Sequence, residues 1–122
     1  MICGTPYSPA KAFVEFAHNF YIALSEQNFG EALSRLDMSK RKWTKTEIEI
    51  EISKICKGST VCSPVGIKKS ASPVLEESED KDTYILTHKI PCNDKWLDQC
   101  VVFKFERSKG EYFKVVLAEF IC

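Results

Sequence analysis

Long apolar runs, an imbalance of charge and the residues that loosen a chain are all scarce here, and each scarcity removes a class of protein. No stretch approaches the roughly 20 apolar residues of a membrane-crossing helix, and Met1 to Pro6 carries neither the basic nor the apolar region of a secretory leader. A cytoplasmic protein without a membrane segment is the expectation. Lys plus Arg and Asp plus Glu both number 17, so the net charge is zero and no overall field draws the chain to nucleic acid or an anionic membrane. Neither is expected as a partner. Gly and Pro number only five each in 122 residues, too few for a low-complexity chain, and one globular domain over residues 1–122 follows. Also missing are a phosphate-cradling glycine loop, a nucleophile elbow, a calcium-hand spacing and any Cys-x-x-Cys knuckle, so no cofactor and no metal is expected.

Cysteine is not scarce. Cys3, Cys56, Cys62, Cys92, Cys100 and Cys122 make an even count, which invites a disulfide framework. Without a leader, a reducing compartment is expected, in which Cys56, Cys92 and Cys100 serve as small apolar residues.

The rest of the chain is organised around the stretch from Thr83 to Ile121. Tyr84, Leu86, His88 and Ile90 alternate with Ile85, Thr87 and Lys89, the period of a half-buried strand over residues 83–90. Val101, Phe103 and Phe105 mark a second strand over 99–106, and Phe113, Val115, Leu117 and Ile121 a third over 112–121. Residues 65–69 form a short edge strand at most, and the acidic stretch over 68–82 reads as a solvated connection. A five-residue turn from Arg107 to Glu111 around Gly110 pairs Phe105 with Phe113, Phe103 with Val115, Val101 with Leu117 and Gln99 with Glu119. A loop from Pro91 to Trp96 pairs Ile90 with Leu97, His88 with Gln99, Leu86 with Val101 and Tyr84 with Phe103. Together the two registers predict a polar row, His88, Gln99 and Glu119, across an otherwise apolar face. On the opposite face they set Val102 beside Val116, Cys100 beside Ala118 and Lys104 facing Lys114.

The first half supplies the cover. Ser8-Pro9 is a helix start, and Phe13, Phe16, Ala17, Phe20, Tyr21 and Leu24 form one stripe of a helix over 9–25. His18, on the flank of that stripe beside Val14, reads as a surface histidine. After a polar break, Phe29, Ala32, Leu33 and Leu36 face inward from a helix over 29–37. Glu47 to Ile52 alternates like a strand. The capping box of Thr44 with Glu47 and the shared helical face of Ile48, Ile52 and Ile55 favour a helix over 45–56, with Gly58 as its stop and Trp43 as a staple into the core. The expected class is α+β, three helices on one face of a curved antiparallel sheet of three to four strands.

Tyr21 to Leu24 followed by Asn28-Phe29-Gly30-Glu31-Ala32-Leu33-Ser34-Arg35-Leu36-Asp37 resembles the opening of nuclear-transport-factor-2-like domains, the cystatin-type cone. Ile90-Pro91, then Asn93 to Asp98 and two strands around Gly110, is similar to the C-terminal meander of small, uncharacterised bacterial domains that begin with the same helical pair. The resemblance implies a cone with a pocket at its open end. It does not imply an activity, since the superfamily holds enzymes, ligand binders, assembly domains and toxin-immunity proteins.

Two functional readings follow. The first is a non-catalytic domain, immunity-protein-like, that binds a protein partner or a small ligand. His88, Gln99, Glu119 and Tyr84 would line its pocket, Val102, Val116 and Trp96 would serve an interface, and the outer sheet face would support a homodimer. The alternative is an enzyme of isomerase or dehydratase type in which His88 and Glu119 move a proton and Tyr84 forms a wall. One inward histidine without an independent catalytic motif favours the binding reading.

Overall fold

The computed structural model describes residues 2–3, 9–39, 41–79, 82–109 and 112–121, with nothing described for the side chains of residues 2, 3 and 9. Ser8, Lys40, Asp80, Gly110, Glu111 and Cys122 lie outside the described residues, and with them the expected cap at Ser8 and the turn at Gly110.

Three helices, α1 (Pro9–Ser25), α2 (Phe29–Ser34) and α3 (Lys45–Ile55), precede all but the first, two-residue strand of an open antiparallel sheet. Its strands are β1 (Ile2–Cys3), β2 (Val74–Glu77), β3 (Thr83–Cys92), β4 (Lys95–Lys109) and β5 (Tyr112–Ile121), in the spatial order β1-β5-β4-β3-β2. The expected α+β class holds. None of the described helices is long and apolar enough to cross a membrane.

The stripe of α1 is the centre of the core: Phe13, Phe16, Ala17, Phe20, Tyr21 and Leu24 are all buried. The helix stops in a Schellman motif, with Asn28 N–H donating to the Ala23 carbonyl (2.8 Å) and Gln27 N–H to that of Leu24 (3.0 Å). Gln27 takes the left-handed position at φ 59°. Asn28 then caps α2 through the Glu31 N–H. Helix α2 ends three residues before the expected boundary because Asp37 turns its N–H to the Val115 carbonyl on β5 (2.7 Å). Both halves of the Thr44/Glu47 capping box form, which decides the ambiguous 47–55 stretch as helix. Trp43 anchors α3 by donating Nε1–H to the Leu117 carbonyl at 2.7 Å and packing its ring edge-on to Phe120.

The expected edge strand over 65–69 does not form. Ser63 caps a 3₁₀ turn over Pro64–Gly66, leaving Val65 81% exposed. The edge is β2 instead, inside the acidic stretch read as a connection, pairing Leu75 with Leu86 and Glu77 with Tyr84. Leu75 packs against the core, while Val74, Glu76 and Glu77 are exposed, a charged composition that suits an edge strand.

Over most of their length both hairpin registers differ from expectation by two residues, a shift that keeps side chains on their face, and only beyond Leu117 does the offset become three and turn Ile121 from the inner face to the outer. The β3–β4 connection is only Asn93 and Asp94, at φ 53° and 60°, the two left-handed residues of a type I′ turn. Next to it, Pro91 pairs with Trp96, in line with the expected register. An irregularity between Lys89 and Pro91 then shifts the ladder so that His88 opposes Val101, Leu86 opposes Phe103 and Tyr84 opposes Phe105. In the β4–β5 hairpin, Lys109 pairs with Tyr112, so the strands run closer together at the turn than a five-residue loop allows. Phe105 accordingly meets Val115 and Phe103 meets Leu117. On the outer face Lys114 meets Glu106 rather than Lys104, Lys104 meets Val116, and Cys100 meets Ile121 rather than Ala118.

Candidate functional site

The expected polar row does not assemble, and a β-bulge is the reason. Phe103 pairs with Leu117 but Val102 pairs with Glu119, leaving Ala118 as an extra residue on β5. An inserted residue reverses the alternation beyond it, so Phe120 turns inward opposite Val101 and Glu119 turns outward beside Val102, where it is exposed. Gln99 is half-buried and is no longer opposite His88. Tyr84 lies four residues from His88 along β3, about 13 Å at strand rise. It packs there against Phe13 and Phe113, with its hydroxyl donating to Glu77 Oε1 at 3.4 Å. Burial, more than the Glu77 carboxylate, pushes the Tyr84 hydroxyl pKa up.

His88 is where the expectation of a special residue survives. It is fully buried, as no Lys, Arg, Asp, Glu or other His side chain among the described residues is. Helix α1 brings two rings to it and the hairpin tip a third: His18 at 5.1 Å, Tyr21 at 5.4 Å and Trp96 at 5.3 Å between centroids, all edge-on. Tyr21 donates its hydroxyl to the His88 carbonyl (3.1 Å), which ties α1 to β3. Burial holds that hydroxyl well above the ordinary tyrosine range.

The tautomer follows from the partners. Nδ1 lies 2.8 Å from the Lys89 carbonyl, which only accepts, so Nδ1 carries the hydrogen and Nε2 a bare lone pair. Nε2 has no hydrogen-bond partner among the described residues. Desolvation lowers the His88 pKa to about 4, against an upward pull from the Lys89 carbonyl and a further lowering by His18. His18 is itself lowered by burial, partly offset by Glu15. The cluster is therefore neutral near pH 7, a pair of imidazoles among aromatic edges, with the Glu15 carboxylate acting on His18 alone.

Trp96 has two sides. One stacks near His18 at 6.0 Å. The indole Nε1–H donates to the Lys69 carbonyl at 2.7 Å, pinning residues 67–70 beside the hairpin tip. Between them lies a cavity of about 290 Å³ lined by Ile67, Lys69, Ser70, Lys89, Asp94, Lys95 and Trp96. Three ammonium groups against one carboxylate make its wall basic in a chain whose net charge is zero.

His18, Tyr21 and the lysines of the hairpin tip were not legible as a site. A signal for the first two existed, since residues three apart share a helix face. Nothing local links Lys69 to Lys89 and Lys95. Val102 and Val116, expected at an interface, are nearly buried on the outer face, with exposed Val74, Ile85 and Ile121 on the same side of the sheet. Trp96 belongs to the inner cluster instead. Among the described residues no group of three or more His, Cys, Asp or Glu side chains is arranged to hold a metal ion. No family model matches the chain, and neither a curated protein nor a solved structure shows significant similarity to it.

Proposed function

We propose that this chain is a non-catalytic binding domain whose hairpin-tip cavity takes a small organic anion with a flat apolar part. The observation that carries the reading is the lining itself: Lys69, Lys89 and Lys95 around the wall formed by Trp96, with Ser70 as a further polar group. An aromatic face beside fixed positive charge recognises a planar carboxylate or phosphate, through contact with the ring and charge-assisted hydrogen bonds. Against catalysis stands the chemistry of His88. A histidine lowered to about 4 and without a carboxylate partner is a poor general base near neutrality. The order of three helices followed by an antiparallel meander supports a place among nuclear-transport-factor-2-like domains, and the reading keeps a reducing, cytoplasmic setting.

The test is calorimetric titration with a panel of aromatic carboxylates and phosphates, repeated with Lys89→Gln and Lys95→Gln. Saturable one-site binding that weakens with added salt and in both variants is the expected result. Binding by no member of the panel, or binding indifferent to both lysines, overturns it.

A second reading rests on a different observation, the outer sheet face. Val102 and Val116, with Val74, Ile85 and Ile121, share that face with Glu76, Glu106, Glu119, Lys89, Lys104 and Lys114. An apolar centre with both signs of charge in equal number suits a second copy of the same chain or an immunity-type protein partner. Sedimentation equilibrium of wild type and Val116→Glu tests it, with a dimer lost in the variant as the supporting result and a concentration-independent monomer as the refuting one.

A further inference from the structure

We propose that the hairpin-tip cavity takes a nucleoside monophosphate with a guanine-type base, the base read by Asp94 and the phosphate held by Lys69, Lys89 and Lys95. The inference rests on the anion-binding reading above and adds the class of ligand. What the lining leaves unused carries it. Lys69, Lys89, Asp94 and Lys95 reach one cavity from three segments of the chain, yet none of these four charged side chains makes an ion pair or a hydrogen bond among the described residues. A bare anion is drawn to the lysines and repelled by Asp94. The ligand that answers both signs carries an anion at one end and hydrogen-bond donors at the other.

Charge and donor pattern narrow the choice. Three ammonium groups and one carboxylate leave two net positive charges on the wall, which a phosphate monoester, at a charge of about −2, neutralises. A zwitterionic amino acid leaves that excess standing. The Asp94 carboxylate only accepts, through two oxygens. Guanine meets it with two parallel donors on one edge, N1–H and N2–H, in the manner of a bidentate pair. Adenine presents a single amino group there, beside an acceptor nitrogen that a carboxylate repels. The Trp96 ring supplies an aromatic surface for the flat face of the base. A volume of about 290 Å³ is at the small end of ligand pockets and suits one nucleotide rather than a chain of them.

The backbone sets this wall in advance. Asp94 occupies a left-handed turn position at φ 60° and donates its N–H to Cys62 Sγ (3.4 Å). Lys89 lies in the ladder opposite Cys100, and the Trp96 indole holds the Lys69 carbonyl at 2.7 Å. Such preorganisation lowers the entropy lost on binding.

The experiment is calorimetric titration of the wild-type protein and of Asp94→Asn with guanosine monophosphate, adenosine monophosphate and guanosine. Asn also accepts the left-handed turn position, so the hairpin survives the substitution. The expected result is one-site binding of guanosine monophosphate to wild type, about tenfold tighter than either of the others. In Asp94→Asn both nucleotides should still bind, with the preference between them gone. Equal affinity of wild type for the two nucleotides, or a preference unchanged in Asp94→Asn, overturns the inference while the anion reading stands on the binding of aromatic carboxylates. If neither nucleotide nor any aromatic carboxylate or phosphate binds, both readings fall.

Discussion

The two ends of the interface between α1 and the sheet are built to opposite rules. At one end Phe13 is fully buried, stacked on Phe105 at 4.1 Å and edge-on to Phe113 at 5.0 Å, with no polar atom to satisfy. At the other end, one to two turns further along α1, His18 and Tyr21 pack against His88, whose Nε2 is buried without a hydrogen-bond partner among the described residues. The first end is an efficient use of area. The second forgoes stability, because a buried acceptor loses its water and gains nothing back. The phenylalanine end is thus the more stabilising half of the interface, and the His88 end the more costly one. The cavity beside Trp96 lies at that end.

Substitutions that treat the two ends alike will break this comparison, and those that treat them oppositely will sharpen it. Phe13→Ala should have the largest effect, about 3–5 kcal/mol of lost stability in chemical denaturation, since it opens a void among rings that cannot close over it. His88 should show itself through pH. Its folded pKa of about 4 lies below the ordinary 6.5, so between these values the unfolded chain takes up a proton that the folded chain refuses. Stability is thus fully present above pH 6.5, falls by up to about 3 kcal/mol as pH drops toward 4, and levels off below. In His88→Leu that slope should flatten, leaving only the smaller share of His18, with stability at pH 7 equal to or above that of wild type. A loss at pH 7 like that of Phe13→Ala would mean that the two ends obey one rule after all.

Smaller effects separate the cavity wall from its surroundings. Trp96→Phe keeps the ring but removes the bond to the Lys69 carbonyl, and about 1 kcal/mol should be lost, with faster amide exchange over residues 67–70. Glu31→Gln breaks the exposed ion pair with Arg35 on α2, remote from either end, and should change stability by less than about 0.5 kcal/mol in thermal melts.

Much of the fold was legible because its signals are local. The stripe on α1, the Thr44/Glu47 capping box and the alternation on β3 and β4 each depend on neighbours within a turn or two, and each formed, while that on β5 held as far as Leu117 and put Phe120 rather than Ile121 inward. The edge strand was misplaced because Val65 to Lys69 looked more apolar than the acidic stretch after it. An edge strand answers to its single neighbour and to solvent, not to a core on both sides. The site was only partly legible. His88 was singled out correctly as an inward polar residue, but its partners were sought along the sheet and lie on the helix and the hairpin tip.

What the sequence determined by itself was the face each side chain takes up to Leu117, since periods of two and of 3.6 residues are properties of the backbone until a bulge interrupts them. Tertiary structure decided which residues on that face become neighbours. A slip of two residues at each hairpin leaves the apolar set inward and so costs nothing that a pattern can register. The left-handed pair Asn93 and Asp94 and the extra residue Ala118 selected one register among these equivalents. That selection turned Glu119 out to solvent, left His88 among aromatic edges, and set Lys89 beside Lys95 and Trp96 at the cavity that Lys69 also lines.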